Sequence, residues 1–196
     1  MNLTDKNILP EIRKRRSIRA LNDKEIPEKI IHRAVLAAQW APSSFNEQPW
    51  KFVIGNKYKN PETYQKILAS VNEWNYRWVQ KAPLLFALIG KTFFDLDGRN
   101  NTYFSYDCGQ AAAFLVLQLT KDNIFTHQIG GFDKEMLAKN LNIPKGYEPV
   151  VVIVAGYQGE ISELPEDLQA EENKERTRKH LDKVGLNEWD KPYFNS

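Results

Sequence analysis

The chain has 196 residues, a mass of 22.7 kDa and 42% hydrophobic residues, enough for one substantial core and not for two independent ones, so we expect a single domain spanning residues 1–196. A formal charge of +2 is too small to imply nucleic acid or an anionic membrane surface as partner, and the single cysteine, Cys108, excludes an intrachain disulfide and a CxxC metal site. The opening MNLTDKNILPEIRKRRS has no apolar h-region and no stretch reaches the apolar length of a membrane span, so the expected location is the cytoplasm, a reducing compartment that suits one cysteine.

The first cluster in chain order is RKRRSIR, with Arg13, Lys14, Arg15, Arg16, Ser17 and Arg19. A planar guanidinium matches phosphate oxygens and an interleaved serine hydroxyl can complete a cage; the same run also suits a solvated basic face. From Pro27 to Ala41 the residues Ile31, Ala34, Val35 and Ala38 recur at helical spacing, between a proline suited to a first turn and Pro42, which closes the far end. The loop APSSFNEQPW comes next. Its prolines pin both ends, Gln48-Pro49 is expected to launch an extended segment, and Ser43, Ser44 and Asn46 suit either a turn or a grip on a polar ligand.

WKFVIG reads as a short strand, and LLFALIG and VVVIVAGY read as strands buried on both faces. Between the last two, TYFSYDCGQAAAFLVLQLTKDN reads as a central helix, apolar all round, whose small residues Gly109 and Ala111 to Ala113 admit a second helix, from this chain or another. In HQIGGFD, Gly130 and Gly131 permit either close backbone approach to a ligand or a turn before DKEMLAKNLN, a short helix with Asp133 as its N-cap. After Gly159 the chain turns polar. Arg176 and Arg178 in ERTRK read as a surface helix end, and Trp189, Tyr193 and Phe194 mark a tail that wraps over something. His32, His127 and His180 are scattered without carboxylates at ligand spacing, and no Walker, GxGxxG or GxSxG motif is present.

Taken in order, RRSIR, APSSFNEQPWKFVI, NYRWVQKAP, YDCGQAAAFLVLQL, GGFD and RTR resemble the FMN-dependent nitroreductase family over essentially the whole chain. The resemblance implies a three-layer α+β fold, with a central, mostly antiparallel sheet flanked by helices, in an intertwined homodimer with a C-terminal extension. It also implies two FMN sites at the dimer interface. By that resemblance Arg15, Arg16, Ser17 and Arg19 contact the flavin phosphate, ribityl chain and pyrimidine edge from one subunit, while Pro42, Ser43, Ser44 and Asn46 reach across from the other. Asn75 matches an asparagine at the pyrimidine side, Ile129, Gly130 and Gly131 match the backbone near flavin N5, and Arg176 with Arg178 match a cationic pair closing on the phosphate. Trp78 stands where some members carry a lysine, and the stretch from Lys91 to Tyr103 is too short for large capping helices, which implies a more open cavity. The implied chemistry is hydride transfer from NAD(P)H through FMN to a small-molecule electron acceptor such as a nitroaromatic or quinone, with no acid or base residue assigned. Flavin reduction, reductive dehalogenation and flavin binding without turnover are the alternatives the residues leave open.

Overall fold

A computed structural model describes residues 7–194; residues 1–6, on which the leaderless reading partly rests, lie outside it. Four strands form one fully antiparallel sheet in the order β1-β2-β4-β3: β1 (Trp50–Asn56), β2 (Leu84–Lys91), β3 (Phe125–Ile129) and β4 (Tyr147–Gly156). β2 is buried along its whole length because helices cover both faces of the sheet. Its side chains alternate accordingly: Leu84, Phe86 and Leu88 join one core, and Leu85, Ala87 and Ile89 the other. β4 repeats the pattern, with Ile153 and Ala155 in the first core and Val152 and Val154 in the second.

The first core is closed by α2 (Glu28–Ala38) and α5 (Phe104–Lys121), packed on each other. The second is closed by α3 (Pro61–Leu68), α4 (Glu73–Val79), α6 (Lys134–Asn140) and α7 (Glu166–Glu172), which supply Tyr64, Ile67, Trp78, Leu137 and Leu168. The layers are thus those of the expected α+β arrangement. A short α1 (Pro10–Lys14) lies across the C-terminal half of α5, and a two-stranded hairpin, β5 (Leu186–Glu188) with β6 (Lys191–Pro192), ends the described chain. Among the described residues no helix is long and apolar enough to cross a membrane.

Several expectations hold in detail. Asp133 caps α6, its carboxylate accepting the Met136 N–H at 2.9 Å. The helix expected before Pro42 and the three expected strands also form, as α2, β1, β2 and β4, while two local expectations need correction. Helix α5 is buried on one side only: Asp107, Cys108, Ala111, Leu115 and Leu119 face inward, while Tyr106 and Phe114 are exposed alongside Gly109 and Ala113. The outer face thus leaves the aromatic rings of Tyr106 and Phe114 exposed beside small residues. The segment carrying Arg176 and Arg178 is irregular chain beyond α7, not a helix end, since α7 stops at Glu172. Cys108 is fully buried, and burial, with the neighbouring Asp107 charge, pushes its thiol up to about 12.

Candidate functional site

Arg15, Arg16, Ser17, Arg176 and Arg178 line one cavity of about 340 Å³, bringing together residues from near the two ends of the chain. The enclosure is laced by hydrogen bonds. Arg176 donates from Nη1 to the Arg15 carbonyl and from Nη2 to the Arg13 carbonyl, both at 2.8 Å, and Arg16 Nη2 donates to the Lys174 carbonyl at 3.4 Å. Arg15 Nη1 donates to Ser17 Oγ at 3.1 Å. Burial, followed by the charges of Arg178 and Arg176, lowers the Arg15 pKa. Among the described residues none of these four arginines forms an ion pair with a carboxylate. Crowded guanidinium groups that lack a counter-charge make a receptor for a multiply charged anion, and forked donors with a hydroxyl suit a phosphate monoester.

Arg19 lies outside that cavity. Its guanidinium is 3.8 Å from Glu172 Oε2 and stacks over Trp74 at 5.4 Å, on the same helix as Asn75. Asn75 is buried and donates from Nδ2 to the Gly131 carbonyl at 3.3 Å, while the Asn72 N–H donates to the same carbonyl at 3.0 Å. A Cβ at Gly131 would lie 2.3 Å from Asn75 Nδ2 and 2.6 Å from Asn72 Nδ2, so any side chain there would push both amides aside. Gly130 has open space beside it, and Ile129 is buried, so this segment presents backbone rather than side chain outward. All of these residues gather along the β3 edge of the sheet, because Ile18 meets His127 of β3 and Gly130 and Gly131 come directly after that strand.

Trp78, expected near the site, is instead a core residue, fully buried and tilted against His127 with ring centroids 4.8 Å apart. The physical reason is its place in the last turn of α4, which is buried at Trp78 and Val79, whereas Trp74 one turn earlier is exposed. His127 is held at a pKa of about 4, chiefly by burial, with Arg19 adding and a 3.3 Å contact to the Ile18 carbonyl opposing. The unfolded value is about 6.5, so between pH 6.5 and 4 the unfolded chain binds the extra proton and stability falls as pH falls. From pH 7.5 to 5 this costs about 2 kcal/mol. Urea unfolding at the two pH values should show His127→Gln losing about that much less than the parent; equal losses would refute the assignment.

The loop residues stand elsewhere. They lead into β1, which forms the opposite edge of the sheet, and rest on the N-terminal end of α5: the Ser44 N–H donates to Asp107 Oδ2 at 3.1 Å and Gln110 Nε2 to the Pro42 carbonyl at 3.4 Å. The loop is stiffer than its prolines alone require. Ser44–Asn46 makes one turn of 3-10 helix, and Phe45, Asn46 and Gln48 have φ of 53°, 53° and 47°. Gln48 therefore departs from the extended conformation expected before Pro49. Its N–H bonds Ser43 Oγ at 3.0 Å and its side chain bonds Asn46 Oδ1 at 3.2 Å, which hold it in the left-handed region. Left-handed backbone at non-glycine residues costs on the order of 1–2 kcal/mol each and clusters where function holds it. Lys91, buried at the end of β2, pairs with Glu47 and with Asp95 and so clamps the loop's far end.

Asp107, Lys91, Glu47 and Glu172 all position site segments and were not singled out from sequence. A lone carboxylate in the apolar run YDCGQAAAF and a lysine closing an all-apolar strand were the available signals for two of them.

The arginine cluster comes after α1, whose Lys14 reaches Asn123 just past the C-terminal end of α5, whereas the loop sits near its N-terminal end. At 1.5 Å per residue, about 20 Å of α5 separates the Lys14 contact from the Ser44 contact in one chain.

Comparison with known proteins gives a consistent picture. The model of the nitroreductase family matches residues 12–157. A protein from Streptococcus pyogenes serotype M6, provisionally named an NAD(P)H nitroreductase, is 28% identical over 194 residues, covering 84% of this chain and 96% of its own. An iodotyrosine deiodinase from Haliscomenobacter hydrossis is 25% identical over 182 residues, covering 79% of this chain and 80% of its own. A solved structure described as an oxidoreductase containing FMN superposes with a TM-score of 0.85 at 26% identity, over 94% of this chain and 93% of that one.

Proposed function

The chain belongs to the nitroreductase family, and from that premise we propose that it is an FMN-dependent oxidoreductase that uses NAD(P)H to reduce a small-molecule acceptor such as a nitroaromatic or quinone. The observation that carries this reading is the cavity of Arg15, Arg16, Ser17, Arg176 and Arg178, whose donors fit one terminal phosphate. No glycine-rich turn for a pyrophosphate accompanies it, which favours FMN over FAD. Asn75, fixed against Gly131, offers an amide for the polar edge of the ring, and the open backbone at Gly130 allows close approach. When bound, the flavin supplies the two-electron chemistry, accepting hydride from the nicotinamide and passing it to the acceptor. The protein's residues bind and orient it, and we assign none of them as acid or base.

The reading includes a homodimer with shared sites. A two-fold axis perpendicular to α5 sets two copies antiparallel, so the loop at one helix's N-terminal end meets the partner's arginine cluster. The exposed face of α5, with Tyr106, Gly109, Ala113 and Phe114, and the exposed Leu9, Ile12, Leu36 and Trp40 beside it, supply an apolar surface for such a contact.

A second reading keeps the flavin and changes the acceptor. The deiodinase relatives favour reductive removal of halide from a halogenated phenol. The test is a panel of acceptors offered to the purified, flavin-loaded protein with NADH or NADPH. Nucleotide consumption on nitroaromatics or quinones supports the first reading, and iodide release from iodotyrosine the second. Consumption with neither would leave a flavin-binding protein without turnover and reject both.

A further inference from the structure

We propose that Glu172 is a positioning residue for the phosphate pocket, the clasp that holds the segment bearing Arg176 and Arg178 against the segment bearing Arg15 to Ser17. The inference rests on the FMN reading of that pocket. Glu172 ends α7, and its side chain is only 6% exposed. One carboxylate oxygen, Oε1, accepts two backbone N–H groups, from Arg19 at 2.8 Å and from Ala20 at 3.2 Å. The other lies 3.8 Å from Arg19 Nη1, too far for a good charge-assisted bond. So the main work of this carboxylate is to hold main chain. Burying an ionised carboxylate is costly, and such a group persists where hydrogen bonds and geometry repay it.

Both partners of the clasp are rigid. Helix α7 is anchored by Leu168 and Leu164 in the core and by Arg77, which grips Asp167 from α4 through two hydrogen bonds at 3.0 and 2.5 Å. Ile18, Ala20 and Leu21 are buried in the same core. The chain beyond Glu172 has no such support: from Lys174 to Arg178 it is irregular and mostly exposed. Among the described residues its side-chain ties to the N-terminal segment are the Arg16 bond to the Lys174 carbonyl and the two Arg176 bonds to carbonyls of residues 13 and 15. These start from flexible arginine side chains that also face the cavity. Glu172 fixes where that irregular stretch begins, and therefore how far Arg178 stands from Arg15.

Two substitutions separate this role from charge alone. Glu172→Met keeps the length and the helix but removes the acceptor; Glu172→Gln keeps the acceptor and removes the charge. A positioning role predicts that Glu172→Met weakens FMN binding by about tenfold or more, the equivalent of one or two lost charge-assisted bonds, while Glu172→Gln stays close to the parent. It also predicts faster protease cleavage between residues 173 and 183 in the flavin-free Met variant, with FMN restoring protection in the parent. Glu171→Ala, which removes only an exposed pair with Lys174, serves as control and should change neither readout. If Glu172 were only an unwelcome negative charge beside a cationic pocket, both variants would bind FMN more tightly, and the proposal would fall. It would fall equally if Glu172→Met bound FMN like the parent. A parent that bound no FMN would overturn the flavin reading itself, a result distinguishable from either.

Discussion

Replacing Arg15 and Arg178 together with alanine is expected to raise the dissociation constant for FMN by about a hundredfold while leaving the flavin-free protein no less stable than the parent. A phosphate monoester carries about −1.5 to −2 charges near neutral pH, and a charge-assisted contact contributes roughly 1.5–3 kcal/mol. Arg178 is exposed, so its share is taken at the low end, and the pair together gives roughly 3 kcal/mol, or about two decades in affinity. The stability half of the expectation comes from repulsion. The Arg15 pKa is lowered by burial and then by Arg178 and Arg176, so in the absence of an anion these groups oppose one another. Fluorescence titration of FMN and thermal melting of the flavin-free protein measure the two halves. Unchanged affinity would remove the phosphate assignment, and a large drop in flavin-free stability would mean that the arginines are structural.

The second large effect concerns complementation between subunits. Two variants, Arg16→Ala with Arg178→Ala on one chain and Ser44→Ala with Asn46→Ala on another, are each expected to hold little FMN. Unfolded together and refolded at equal concentration, they should recover about a quarter of the parental flavin. Half of randomly paired dimers are mixed, and each mixed two-fold dimer has one intact and one doubly damaged site. The expectation comes from one distance: about 20 Å of α5 separates the Lys14 contact from the Ser44 contact in a single chain. Recovery no greater than for either variant alone would mean that the loop and the arginines do not share a site across two chains.

How much the sequence disclosed depended on how many residues carried each signal. Helix α2 and the strands β1, β2 and β4 were legible because their apolar residues recur at a fixed period, or without a break, over seven residues or more. Helices α3 and α4 escaped because eight and seven residues hold too few turns to set a period, with Tyr64, Ile67 and Leu68 the whole buried face of α3, whereas the equally short α6 was marked by Asp133 at its start. β3 escaped for another reason. Thr126, His127 and Gln128 give FTHQI a polar middle that only its place at the sheet edge makes acceptable. In the candidate site, Arg15 and Arg16 stood out as part of a dense basic run with an interleaved serine, whereas Arg176 and Arg178 read alone as a surface helix end and entered only through the family resemblance. Residues that act by holding main chain were harder to see: Asp107 offered only its place as a lone carboxylate in an apolar run, and Glu172 looks like any other carboxylate until the N–H groups it accepts are known.

The burial of Cys108 bears on how long such a catalyst would last. A quinone, or a nitroaromatic part-way through reduction, is an electrophile, and the thiolate is the protein group it would arylate most readily. The chain has one thiol in its 196 residues. That thiol is fully enclosed between α5 and the sheet, with its pKa pushed up to about 12, so thiolate is scarce at neutral pH and the sulfur is out of reach. Under the proposed function the protein would work among reactive products without offering them a soft nucleophile.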